Sequence, residues 1–230
     1  LTVTGAEVVD VYDPVDQPAE TADSGAVASA LECPLGALRL EDFRAAQSVA
    51  IAINDKTRPV PHHLLLPPLL EQLERLGLGP RVRFYIATGT HTPMTPDEYP
   101  GILPAQILER YPVVSHDCDD HGNLAHLGIT SRGVPVWVNR DFFASHLKIV
   151  VGNIEPHHFA GFSGGYKTAA IGMAGRETIN ANHIMLADPL SRMGLFEQNP
   201  LRQDIEEIGR MMQVQFALNV RLNARKEILA

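Results

Sequence analysis

Short apolar runs at 48–54, 81–87, 113–117, 134–139, 147–152 and 213–222 alternate with longer mixed stretches along most of this chain. Runs this continuously apolar suit strands covered on both faces, because a half-exposed strand would alternate polar and apolar residues. The intervening stretches include 67–76, where Leu69, Leu70, Leu73 and Leu76 recur at helical spacing, and 201–212. Strands alternating with helices lead to an α/β fold: a mostly parallel, Rossmann-like sheet with helices on both faces. The pattern divides the chain into residues 1–34, with a possible strand at 7–12 and an acidic surface segment, and an α/β domain at 35–230.

At 230 residues and 45% hydrophobic, the chain can bury one large core. A net charge of -8 argues against nucleic acid or an anionic membrane as partner, since both reward basic surfaces. Cys33 and Cys118 are the only cysteines, so there is neither a disulfide framework nor a zinc-binding pair, and a reducing cytoplasm is expected. There is no signal-peptide pattern and no apolar run of bilayer length. The chain starts at Leu1 and stops at Ala230 amid what reads as ordered structure, so a fragment is expected.

In open α/β sheets ligands bind beyond the carboxyl ends of the strands. The unusual residues fall there: Asp55-Lys56-Thr57-Arg58-Pro59, Gly89-Thr90-His91 and Glu155-Pro156-His157-His158. Asp55, Thr57 and Arg58 combine an acceptor, a hydroxyl and a forked cation, a kit for a ribose and a phosphate. The same segment reads equally as an Asx turn with an ion-paired surface arginine. Gly161-Phe162-Ser163-Gly164-Gly165-Tyr166-Lys167-Thr168 is a glycine-rich turn entering an apolar stretch, where amides and a lysine could meet an anion, or simply a turn with a surface lysine. A phosphate-binding NTPase loop needs Gly just before the Lys, where this chain has Tyr166. His91, His157, His158 and His183 lie near loops and could move protons or bind metal; His62, His63, His116, His121, His126 and His146 read as structural.

As an ordered set, several motifs resemble the N-terminal domain of the nickel-pincer lactate racemase family over residues 34–199. They are Asp55-x-Thr57-Arg58-Pro59, Gly89-Thr90-His91, His116-Asp117, Gly133-x-Pro135-Val136 with Asn139-Arg140, Glu155-Pro156-His157, the 161–167 turn and Asn182-His183. The resemblance implies a racemase or epimerase of small 2-hydroxy acids. Its cofactor would be a pyridinium mononucleotide with two sulfur-containing arms, covalently attached to Lys167. Nickel would be held by a ring carbon, two sulfurs and His183. Asp55, Thr57 and Arg58 would hold the nucleotide end, and Gly164 and Gly165 would let backbone approach it. His91 and His157 would each take the hydroxyl proton of one enantiomer while hydride moves to the cofactor, leaving a planar 2-keto acid. Both should then be neutral at working pH.

Cofactor-biosynthesis proteins follow as partners, and the family's second, C-terminal domain is expected to be missing from this chain. Thr92 replaces a common arginine, and 168–175 lacks a proline often present there. The competing readings are a histidine-rich metal-dependent hydrolase and a nucleotide-binding domain without chemistry.

Overall fold

The computed structural model describes residues 24–58 and 60–230, so the strand expected at 7–12 lies outside the described residues. Its main sheet holds β1 (Val49–Asn54), β2 (Val82–Ala87), β3 (Val113–Ser115), β6 (Leu147–Asn153) and β9 (Phe216–Val220), in the order β3-β2-β1-β6-β9. Every pairing in it is parallel. The chain leaves β1 toward β2 and β3 on one side, then returns to place β6 and β9 on the other. That reversal opens a crevice between β1 and β6 at their carboxyl ends.

The two-residue period of the strands sorts side chains into two cores. Val49, Ile51 and Ile53 join Phe84, Ile149 and Val151 on one face. This face packs against α2 (His62–Arg75) through Leu65, Leu66, Leu69 and Leu73, with Val27 and Leu31 of α1 (Ser24–Glu32) alongside. On the opposite face Ala50, Ala52 and Val150 meet Ala169 and Ala170 of α5 (Tyr166–Ala170) and Leu201, Ile205 and Ile208 of α7 (Pro200–Met211). Small residues on β1 let α5 sit close to the sheet. That closeness brings the glycine-rich turn down onto the strand ends.

Four expectations are corrected. The run at 134–139 does not enter the parallel sheet: β5 (Pro135–Asn139) pairs antiparallel with β4 (Leu124–Ile129), because the short turn between them allows a hairpin and no crossover. β4 itself escaped detection since its burial alternation breaks at a register shift between His126 and Ile129. α2 begins five residues before 67 and carries Pro67 and Pro68 inside it; burial of its leucines outweighs the backbone bonds those prolines remove. Residues 24–32 form α1, packed on α2, where a surface segment was expected; two apolar side chains, Val27 and Leu31, suffice to anchor it.

Short elements complete the path: α3 (Ala105–Arg110), α4 (Arg140–Ala144), the two-residue strands β7 (Pro156–His157) and β8 (Gly161–Phe162), and α6 (Arg176–Ile184).

Candidate functional site

Loops from β1, β2 and β6 and the start of α5 wall a cavity of about 300 Å³ at the switch point. Asp55, Thr57, Arg58, His91, His157, Gly164, Lys167 and His183 all line it. Gly165 is the one expected site residue outside this lining: its N–H donates to Asn219 Oδ1 at 3.1 Å, so that amide serves the fold.

The Asp55 loop is an Asx turn. Asp55 Oδ1 accepts from the Thr57 amide at 3.0 Å and from Thr57 Oγ1 at 2.6 Å. The second oxygen, Oδ2, lies 2.6 Å from His91 Nδ1. A carboxylate can only accept, so the neutral form of His91 holds its proton on Nδ1 and offers Nε2 as a lone-pair nitrogen. Asp55 is 3% exposed and spends its acceptors inside the protein, orienting His91. Arg58 approaches Glu155 at 4.0 Å, a long contact that leaves the guanidinium able to engage an anion in the cavity.

Lys167 sits one residue into α5, below a turn held from several sides. Gly164 has φ of +76°, and a Cβ there would fall 2.9 Å from the Asn153 carbonyl oxygen. Arg202, 4% exposed on α7, donates to the Phe162 carbonyl at 2.7 Å and pairs with Glu206 at 2.6 Å. Tyr166 packs against Gly209, where a Cβ would meet the ring at 2.3 Å. Tyr166 thus ties the turn to α7, which accounts for an aromatic where an NTPase loop needs glycine. Burial, then the charges of Arg58 and Arg202, push Lys167 down to about 8 against a weaker pull from Glu155. A primary amine in that range is a usable nucleophile near neutral pH.

His157 and His183 flank Phe159, each edge-on to its ring, with centroids 4.7 Å and 5.1 Å away. Burial, followed by the Lys167 and Arg58 charges, lowers His157 to about 3. Its Nδ1 accepts the Ala160 amide at 3.3 Å, a bond available only to the neutral ring. His183 is also lowered, by burial first and Lys167 second. His62 and His116 are structural, bonded to the Ile102 and Ala174 carbonyls at 3.0 and 2.9 Å. Among the described residues, the single group of three potential metal ligands within 4.8 Å is Asp117, Cys118 and Asp119, outside the lining of this cavity, and Arg176 holds Asp119 at both oxygens.

The family model for the lactate racemase N-terminal domain matches residues 1–194. This chain belongs to that family. Curated relatives include the lactate racemases of Thermoanaerobacterium thermosaccharolyticum and Lactiplantibacillus plantarum, each 33% identical over 206 residues and 88% of this chain. The aligned part is 48% and 49% of those proteins, so the chain spans about half the length of the curated relatives it matches. The apoprotein structure of the Thermoanaerobacterium enzyme superposes with a TM-score of 0.87 at 32% identity, covering 92% of this chain and 51% of that one. A Thermotoga maritima protein shares the fold at 23% identity and a TM-score of 0.69, covering 90% of this chain and 52% of its own.

Several residues of this family member's cavity were not singled out in the sequence. Asn54 closes β1 and lines the cavity, and its Oδ1 is buried with no partner. Phe159 in the lining also went unremarked, as did Arg202, which lies outside the lining and braces its turn from α7, because its spacing to Glu206 imitates an ordinary surface pair on a helix. Only Asn54 carried a local signal, as a polar residue ending an apolar strand.

Proposed function

We propose that this domain carries the catalytic cavity of a 2-hydroxy-acid racemase or epimerase that uses a lysine-tethered nickel-pincer mononucleotide. The observation that carries the reading is one cavity shared by His91, His157, His183 and a lysine lowered to about 8. The residues present fit such a group. Lys167 offers the tethering amine, Arg58 a cation for an anionic end, and His183 an imidazole. Asn54 Oδ1 is an orphaned acceptor in the cavity lining, and Gly164, at φ of +76° and close to the Asn153 carbonyl, lets the turn lie against the end of β6.

When bound, that group supplies the acceptor for the substrate's α-hydrogen, with His183 as the protein's ligand to nickel. The chain does the proton work. His91, oriented by Asp55, has Nε2 free to take the hydroxyl proton of one enantiomer; His157 serves the other once its Nδ1 lone pair is released from the Ala160 amide that it accepts in this structure. As it stands, His157 is a poor base, depressed by burial and, among the nearby charges, most by Lys167. Acylating the Lys167 amine removes that charge, so tethering increases His157 basicity. A metal hydrolase is less well supported, since among the described residues no three potential protein ligand atoms gather within 4.8 Å in this cavity.

Intact-mass analysis of the full-length protein, produced with nickel and the cofactor-forming enzymes, tests this reading. The expected result is an adduct on Lys167 and loss of nickel in His183→Ala. Unmodified Lys167 in folded protein from such cells refutes it.

A further inference from the structure

His183 is an imidazole whose usefulness as a ligand depends on which nitrogen carries the proton. Its Nδ1 lies 3.2 Å from Asn182 Oδ1, the preceding residue on α6. An amide can present either its oxygen or its nitrogen, so this contact alone leaves the tautomer open. Asn182 is fully buried, however, and its Nδ2 is engaged at 2.8 Å by Asp204 Oδ2 and at 3.2 Å by the Leu201 carbonyl. Both partners are acceptors. Flipping the amide would place its oxygen against two more oxygens in a buried setting, leaving them unpaired.

Asp204 is held in turn. Thr130 Oγ1 accepts the Val134 amide at 3.2 Å, which directs the hydroxyl proton toward Asp204 Oδ1 at 2.6 Å. We infer that Asn182 is a positioning residue that fixes the Nδ1–H tautomer of His183, leaving Nε2 as the ligating nitrogen, and that Asp204 sets the orientation of Asn182. The inference rests on the proposed role of His183 as a metal ligand, but the tautomer is a property of the metal-free protein. Ile179, one turn back, also offers its carbonyl to the ring and is the rival specifier.

Long-range proton–nitrogen correlation spectra of full-length, metal-free, histidine-labelled protein read the tautomer directly above pH 7, with His183 assigned by the signal lost in His183→Gln. The wild-type protein should show a proton-bearing Nδ1 and a lone-pair Nε2. Asn182→Ala should move the ring toward the Nε2–H form, and Asp204→Asn, which frees the Asn182 amide to turn, should give a mixture. A wild-type Nε2–H ring overturns the inference without any variant. An unchanged Nδ1–H ring in Asn182→Ala also overturns it and gives the role to Ile179. In the nickel-loaded protein, Asn182→Ala should weaken metal retention roughly 10- to 100-fold, as loss of such outer partners does elsewhere, and equal retention overturns the link to the metal. Protein with the expected tautomer that never takes up nickel counts against the racemase reading alone.

Discussion

Lys167 should titrate as an amine with its midpoint near pH 8 in the folded protein. Burial removes water from the ammonium, Arg58 and Arg202 repel it, and Glu155 attracts it less strongly; the sum lowers it to about 8. At pH 7.5 that pKa leaves about a quarter of Lys167 uncharged, against about one part in a thousand for an ordinary lysine near 10.4, a gain of about 200-fold in free amine. Trace acylation with a small water-soluble reagent, pulsed across pH 6 to 11 and read by peptide mass, gives the profile. Exposed Lys226 is the internal standard. The midpoint is the quantity to compare, since a less basic amine is also intrinsically less reactive. Arg202→Met removes one cation and should move the midpoint upward. A Lys167 profile that follows Lys226 in folded protein refutes the electrostatic account of the site.

Acid should destabilise the fold before its carboxylates titrate. His62 and His157 are lowered by burial to about 4 and about 3, so below pH 6.5 the unfolded chain binds protons that the native state refuses. The contribution of these two histidines should be level above pH 7 and leave the fold about 3–4 kcal/mol less stable at pH 5, measured by urea unfolding; a level profile from pH 7 to 5 would contradict their burial as neutral rings. Gly209→Ala gains helix propensity but sets a Cβ 2.3 Å from the Tyr166 ring. A net loss of about 1–3 kcal/mol is expected from overpacking, and a raised denaturation midpoint would show that Tyr166 does not brace the turn.

The rim of the site was legible because strand ends are marked in sequence: Ile53 gives way to Asn54 and Asp55, Ala87 to Thr88 and Gly89, and Gly152 to Asn153. Beyond the Asx turn that the Asp55 segment also suggested, what the rim residues touch was not legible. Asp55 was expected to help hold a nucleotide, and the fold turns its carboxylate toward Thr57 and His91. Arg202 lies 35 positions from Lys167 in sequence yet reaches the turn that carries it, because α7 returns across the α5 face of the sheet. Such contacts depend on helix packing, which no local window encodes. The same holds for Asn182, whose pairing with Asp204 crosses from α6 to α7.

Parallel pairing has a temporal consequence. β1 meets β6 with Val49 opposite Leu147, so the crevice between them cannot close until a crossover of nearly a hundred residues is complete. The chain as far as His91 holds Asp55, Thr57, Arg58 and His91, and the lysine and the other two histidines arrive only later. Lys167 acquires its lowered proton affinity only when α5 has docked and Arg202 has arrived from α7. In the unfolded chain it is an ordinary ammonium. Folding therefore acts as the chemical gate: it makes one lysine nucleophilic at the moment when the pocket that would receive its adduct comes into existence.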